Sequence, residues 1–286
     1  MNPSERLLNE RLLNFAAHPS IRDTRMYTQR EQRECMADVS VVLLELFPNL
    51  FDLPINVCWR SGSPYVNWET WESERYICLT SEPSSLFYAQ IAYQLFHELA
   101  HLATGYNPDV HRERHGNGRN ITAWFSETLC MALSYVGMSR LAELWKTSDA
   151  SWKRSFSYAF MDYRYEDVNS RIQKLGPIQV DISAYLRKHA AERLRINFND
   201  RVMHSVLAIR IAEMIEEHAE KDVRSIQPLS SVESHTYNNR RGHFQFMDFG
   251  AWVNALNDKH GKKNLAVDIC DYLTGLDVRL TDFAPQ

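Results

Sequence analysis

The chain has 286 residues, 44% of them apolar and only ten each glycine and proline, which suffices to bury a sizeable core and excludes a linker-rich or disordered chain. A formal net charge of -4 names no partner, and without a long basic run no nucleic-acid partner is expected; the densest patch, Arg240-Arg241 beside His243, reads as a solvated loop. No stretch approaches the roughly 18 apolar residues of a membrane span, the N-terminus lacks a signal-peptide core, and five cysteines without CxxC pairing point to a reducing compartment, so a cytoplasmic protein is expected.

Leu7, Leu8, Leu12 and Leu13 fall at helical spacing, which predicts a helix over 4–16, and a longer one is expected over 29–47, ending before Pro48. Three strand-like runs follow, Ile55 to Arg60, Tyr65 to Trp71 and Arg75 to Thr80, separated by the turn-forming segments 61–64 and 72–74. They read as a small antiparallel meander. From Ser84 the pattern turns helical and stops at Gly105, a natural C′ residue. A polar stretch, 106–120, separates this from a second apolar helix, about 121–136, that is expected to stop at Gly137. Further helices are expected at about 138–147, 150–163, 181–195, 199–220, 246–258 and 265–274. The expected class is α+β, mainly α, with residues 1–137 forming an N-terminal part and 138–286 a helical C-terminal part on the same core.

Within the first of these apolar helices lies His97-Glu98-Leu99-Ala100-His101. Residues four apart share one helix face, so both imidazoles can turn to one ion, and neutral imidazole is a good zinc ligand. Glu98 is displaced about 100° round the helix, beside the ion, where a carboxylate can take a proton from water. Two histidines and a glutamate amid Ile91, Leu95, Phe96, Leu99 and Leu102 are costly to bury without partners. Hydrolytic zinc sites usually have three protein ligands. Glu127 is the foremost candidate for the third, since almost every neighbour from Ile121 to Leu133 is apolar or small. Asp109, His111 and His115, in the loop between the two helices, are the rivals.

HExxH on one helix with a glutamate on the next resembles the gluzincin branch of the zincin metallopeptidases. The stretch Trp124-Phe125-Ser126-Glu127-Thr128-Leu129-Cys130 is similar to the glutamate helix of little-studied bacterial members. The resemblance covers about 50 residues, from Leu86 to Tyr135. It implies a zincin-like fold, one zinc ion per chain on His97, His101 and Glu127, and Glu98 as the general base of peptide hydrolysis. It also implies an oxyanion-stabilising Tyr or His from a later helix, for which Tyr163, Tyr185, His189 and His204 are equal candidates, and a sheet edge that binds the substrate as an added strand. Two departures stand out. Thermolysin-like gluzincins carry Asp four residues after the ligand Glu, where this chain has Met131. The metzincin extension is absent, with Thr104 and Asn107 in place of its Gly and His.

The partner expected is a peptide or protein substrate. Alternatives are a cytoplasmic regulatory protease or a delivered effector with a single protein substrate, and an inactive zinc-binding scaffold. Nothing in the sequence fixes the oligomeric state.

Overall fold

The computed structural model describes residues 13–15, 30–47, 55–71, 74–80, 87–105, 123–175, 182–196, 200–218, 226, 233–239, 242–248 and 265–276. In chain order these form β1 (Leu13–Phe15), α1 (Arg30–Leu46), β2 (Ile55–Trp59), β3 (Tyr65–Trp71), β4 (Glu74–Leu79) and α2 (Tyr88–Thr104). There follow α3 (Ala123–Lys146), α4 (Ser151–Gln173), α5 (Ile182–Ile196), α6 (Arg201–Glu217), the hairpin β5 (Glu233–Asn239) and β6 (Gly242–Asp248), and α7 (Leu265–Gly275). The fold is α+β and mainly α. No helix among the described residues is long and apolar enough to cross a membrane.

The chain divides into two compact units, the first comprising Met1–Ala103 and Leu133–Glu166, the second Thr104–Ala132 and Asp167–Gln286. Both divisions of the chain after residue 104 fall inside continuous helices, α3 and α4.

In the first unit the sheet has the order β1-β2-β4-β3, so the expected antiparallel meander is not what forms. β2 pairs in parallel with β1 on one side (Leu13 opposite Ile55) and with β4 on the other (Val57 opposite Ile77). Only β3 and β4 are antiparallel neighbours. The reason is visible in β2, whose five residues are all buried. A strand without a solvent face belongs in the interior of a sheet, where a parallel neighbour suits it, rather than at the end of a meander. Segment 60–64 therefore carries the chain past the place of β4 to the edge, and β4 returns between. Leu13 to Phe15 also depart from expectation, since pairing with β2 overrides the local helical spacing; residues 4–12 of that expected helix lie outside the described residues.

The core of this unit is completed by α1, α2 and the later part of α3. Met36, Val39, Leu43, Ile77, Leu95, Phe96, Leu99 and Trp145 have essentially no exposure. Asp38 and Lys153 are buried within it at 2% and 4% exposure. The Lys153 ammonium lies 2.5 Å from Asp38 Oδ2, and the Trp145 indole N–H donates to the same oxygen at 2.8 Å.

Two glycines read alike in the sequence behave differently. Gly105 takes φ +68° directly after Thr104 and ends α2 as expected. Gly137 does not end α3, which runs on to Lys146 and absorbs the separate helix expected at 138–147. A Cβ on Gly137 would lie 2.6 Å from the ring of Phe96. The residue is small so that α3 can approach α2, not so that the helix can stop.

The second unit carries α5, α6, α7 and the β5–β6 hairpin. Asp200 caps α6, accepting from the N–H groups of Val202 and Met203 at 3.1 Å each, and its other carboxylate oxygen accepts from Arg193 on α5 at 2.7 Å. The helix expected over 246–258 is contradicted at its start, because residues 246–248 belong to β6, with Phe246 opposite His235 and Phe244 opposite Tyr237. Phe244 and Phe246 alternate with polar neighbours, a period-two signal. The remaining residues of that expectation, 249–258, lie outside the described ones, as do Arg240 and Arg241.

Candidate metal centre

Helix α2 forms because Ile91, Ala92, Leu95, Phe96, Leu99, Ala100 and Ala103 recur at helical spacing and are all buried. The same packing sets the exposure of the polar residues between them. His97 and His101 are half-buried, one turn apart, with ring centroids 5.0 Å from each other and planes at 81°. Glu98 is buried, at 5% exposure. Helix α2 is joined to β4 one turn earlier, where the Gln94 side chain accepts from the Thr80 N–H at 3.0 Å and donates to the Thr80 hydroxyl at 2.9 Å. This pair fixes the helix against the sheet next to the histidines.

Helix α3 carries Glu127. Trp124, Phe125, Ser126, Thr128, Leu129 and Cys130 are buried at 1% or less, yet Glu127 itself is exposed. The apolar stretch that singled out Glu127 therefore does not enclose its side chain. Apolar sequence neighbours do not bury a helical residue, because each step turns the side chain by about 100°. The position nevertheless suits a ligand. His97, His101 and Glu127 each offer one ligand atom, and these atoms all lie within 4.8 Å of one another.

The chemistry of this donor set fits zinc. Bonds of about 2.0–2.2 Å to two imidazole nitrogens and a carboxylate oxygen in a tetrahedral arrangement require donors roughly 3.4 Å apart. The three ligand atoms, all within 4.8 Å of one another, are grouped on the scale such a site needs. Asp109, His111 and His115, the rival third ligands, lie outside the described residues.

The four candidates for oxyanion stabilisation are separated by the fold. Tyr163 on α4 has its ring 5.6 Å from that of Tyr93, which in turn stacks at 6.4 Å and 30° beside His97. His204 on α6 is buried and lies 6.3 Å from the ring of Trp124, one turn before Glu127. Tyr185 and His189 pair with each other on α5 at 4.7 Å, and the Tyr185 hydroxyl accepts from Arg193 at 3.0 Å. Met131, at the place of the thermolysin-like Asp, has its sulfur 4.0 Å from the Ser205 hydroxyl, which donates to the Arg201 carbonyl at 2.7 Å. Sequence reasoning did not single out Tyr93. Its position four residues before His97 on the same helix face was the signal that could have found it.

No protein-family model, no curated protein and no solved structure matches this chain.

Proposed function

We propose that this chain is a zinc-dependent peptidase in which His97, His101 and Glu127 hold one zinc ion and Glu98 is the general base. The observation that carries the reading is the convergence of the three ligand atoms within 4.8 Å, with Glu98 next to His97 on the same helix. A zincin-like assignment follows the same observation, since a helix with the HExxH spacing is joined to a small sheet and a second helix supplies the glutamate.

When bound, zinc lowers the pKa of water towards about 7 and polarises the substrate carbonyl. The chain's own groups do the rest. Glu98 accepts the proton of the attacking water at a carboxylate oxygen and later delivers it to the leaving amine. Its burial keeps that carboxylate out of bulk solvent, where the proton would exchange freely. β4 is interior, paired on both sides, whereas β3 is at the sheet edge. Among the described residues β3 is an outer strand of the sheet, and a peptide would add there. Five free cysteines fit a reducing compartment, and the reading is of a cytoplasmic enzyme.

The test is cleavage of a diverse peptide pool by wild type and by Glu98→Gln, with and without a chelator. Chelator-sensitive cleavage by the wild type is expected. Glu98→Gln should keep fold and zinc and lose activity by about 10²–10⁴-fold. Equal cleavage by the variant, unaffected by chelation, contradicts the mechanism.

A further inference from the structure

β2 and β4 place two cysteines directly opposite each other. Cys58 and Cys78 are register partners across the parallel pair, and both are fully buried. Their sulfurs lie 2.8 Å apart in a hydrogen bond. Neighbouring strands run about 4.8 Å apart and a disulfide spans Cα atoms about 4.4–6.8 Å apart, so the backbone already permits the bond. We propose that Cys58 and Cys78 form a peroxide-sensitive dithiol, a site of reversible oxidation to an intrachain disulfide between β2 and β4.

The surroundings assign the two sulfurs different parts. The Cys58 thiol hydrogen-bonds Cys78, and this above all holds the Cys78 thiol down to about 7 against the opposing effect of its burial. The Tyr65 hydroxyl, also bonded to Cys78, and the charge of Arg60 act in the same direction, while the charge of Glu98 opposes them. Arg60 is exposed, and its guanidinium stands 5.0 Å from the centre of the half-buried Tyr65 ring. The exposed Arg60 and the half-buried Tyr65 are thus the groups nearest solvent among those that act on the enclosed Cys78 sulfur. Cys35 shows the opposite case: burial above all, and then Asp38, push its thiol well above the ordinary range, which leaves it inert.

The chemistry balances with peroxide as the only co-reactant. The Cys78 thiolate attacks one peroxide oxygen, the S–O bond forms as the O–O bond breaks, and hydroxide leaves to become water on protonation. Cys58 then gives up its proton and attacks the Cys78 sulfur, the S–S bond forms, the S–O bond breaks, and a second water leaves. The sulfurs together lose two electrons and the peroxide gains them. The product closes a ring round the segment between the two cysteines, which contains β3.

The experiment uses the full folded chain, exposed to hydrogen peroxide, then unfolded and alkylated. Free thiols should fall from five to three, the missing pair should map to a Cys58–Cys78 cross-linked peptide, and dithiothreitol should restore all five. Cys58→Ser should stop at a sulfenic acid on Cys78 that a dimedone probe traps, and Cys78→Ser should give neither product. Five thiols after peroxide, or a loss that maps to other cysteines, overturns the proposal, and the wild-type measurement decides this even where a variant fails to fold.

Discussion

Asp38 and Glu98 are both carboxylates buried in the first unit, and they are buried for different reasons. Asp38 meets the Lys153 ammonium and the Trp145 indole N–H, so α1, α3 and α4 are held at one oxygen atom. Glu98 lies on α2 in the same turn as His97 and His101, whose ligand atoms converge with that of Glu127. The first carboxylate is answered by a permanent cation of the fold. The second adjoins a set of donors that would hold a cation from outside. On the proposed function, burial of charge serves structure at Asp38 and chemistry at Glu98.

That contrast can be sharpened by removing the permanent cation. Lys153→Met keeps a stem of similar length and removes the ammonium, which stands 5.8 and 5.6 Å from the Trp145 and Trp152 rings and faces the buried Asp38. Stability should fall by about 3–5 kcal/mol, read as a lower denaturant midpoint. Peptide cleavage per folded molecule should be unchanged, the reverse of the pattern expected for Glu98→Gln.

A smaller effect is expected at Gly137. Alanine there gains up to about 1 kcal/mol of helix propensity, but its Cβ would meet the buried ring of Phe96 at 2.6 Å. A buried aromatic ring cannot yield as the end of a flexible side chain would, so a net loss of about 1–3 kcal/mol is expected. Gly275→Ala on α7, with nothing within 4 Å among the described residues, is the control and should not destabilise. Equal midpoints for the two variants would break the close-approach account.

The smallest effect concerns a buried polar group of a third kind. The Tyr272 hydroxyl is buried with no hydrogen-bond partner among the described residues, and burial above all pushes its pKa up from 10 to about 12. The fold thus favours the neutral phenol, while the unfolded chain ionises from about pH 10. Below pH 10 the group contributes no pH dependence; between pH 10 and 12 stability should decline as pH rises. Tyr272→Phe should lessen that alkaline decline and change stability at pH 7 by no more than about 1 kcal/mol. Thermal unfolding of both proteins from pH 7 to 11.5 checks it.

What was legible in the sequence was mostly local. The four-residue spacing of His97 and His101 needs only a helix to bring both to one face, and Gly105 needs only a left-handed backbone to end it. Glu127 was found for a mistaken reason, since its apolar neighbours are buried while it is not. The parallel pairing of β2 with β4 was not legible because β3 intervenes in the chain, and with it went the Cys58–Cys78 pair. Gly137 misled because a stop and a close approach use the same residue, and only Phe96 tells them apart. Tyr163 beside Tyr93 and His204 beside Trp124 likewise depend on tertiary packing that no spacing encodes.

The central claim, a zinc site made by His97, His101 and Glu127, is tested most directly by zinc binding itself. Equilibrium dialysis with elemental analysis of wild type, His101→Ala and Glu127→Ala measures it without any substrate. One zinc ion per wild-type chain is expected. Each variant should bind at least about 10–100-fold more weakly, the loss usual even for residues that only support a ligand. Zinc held by the Glu127 variant as tightly as by the wild type would contradict the site as described.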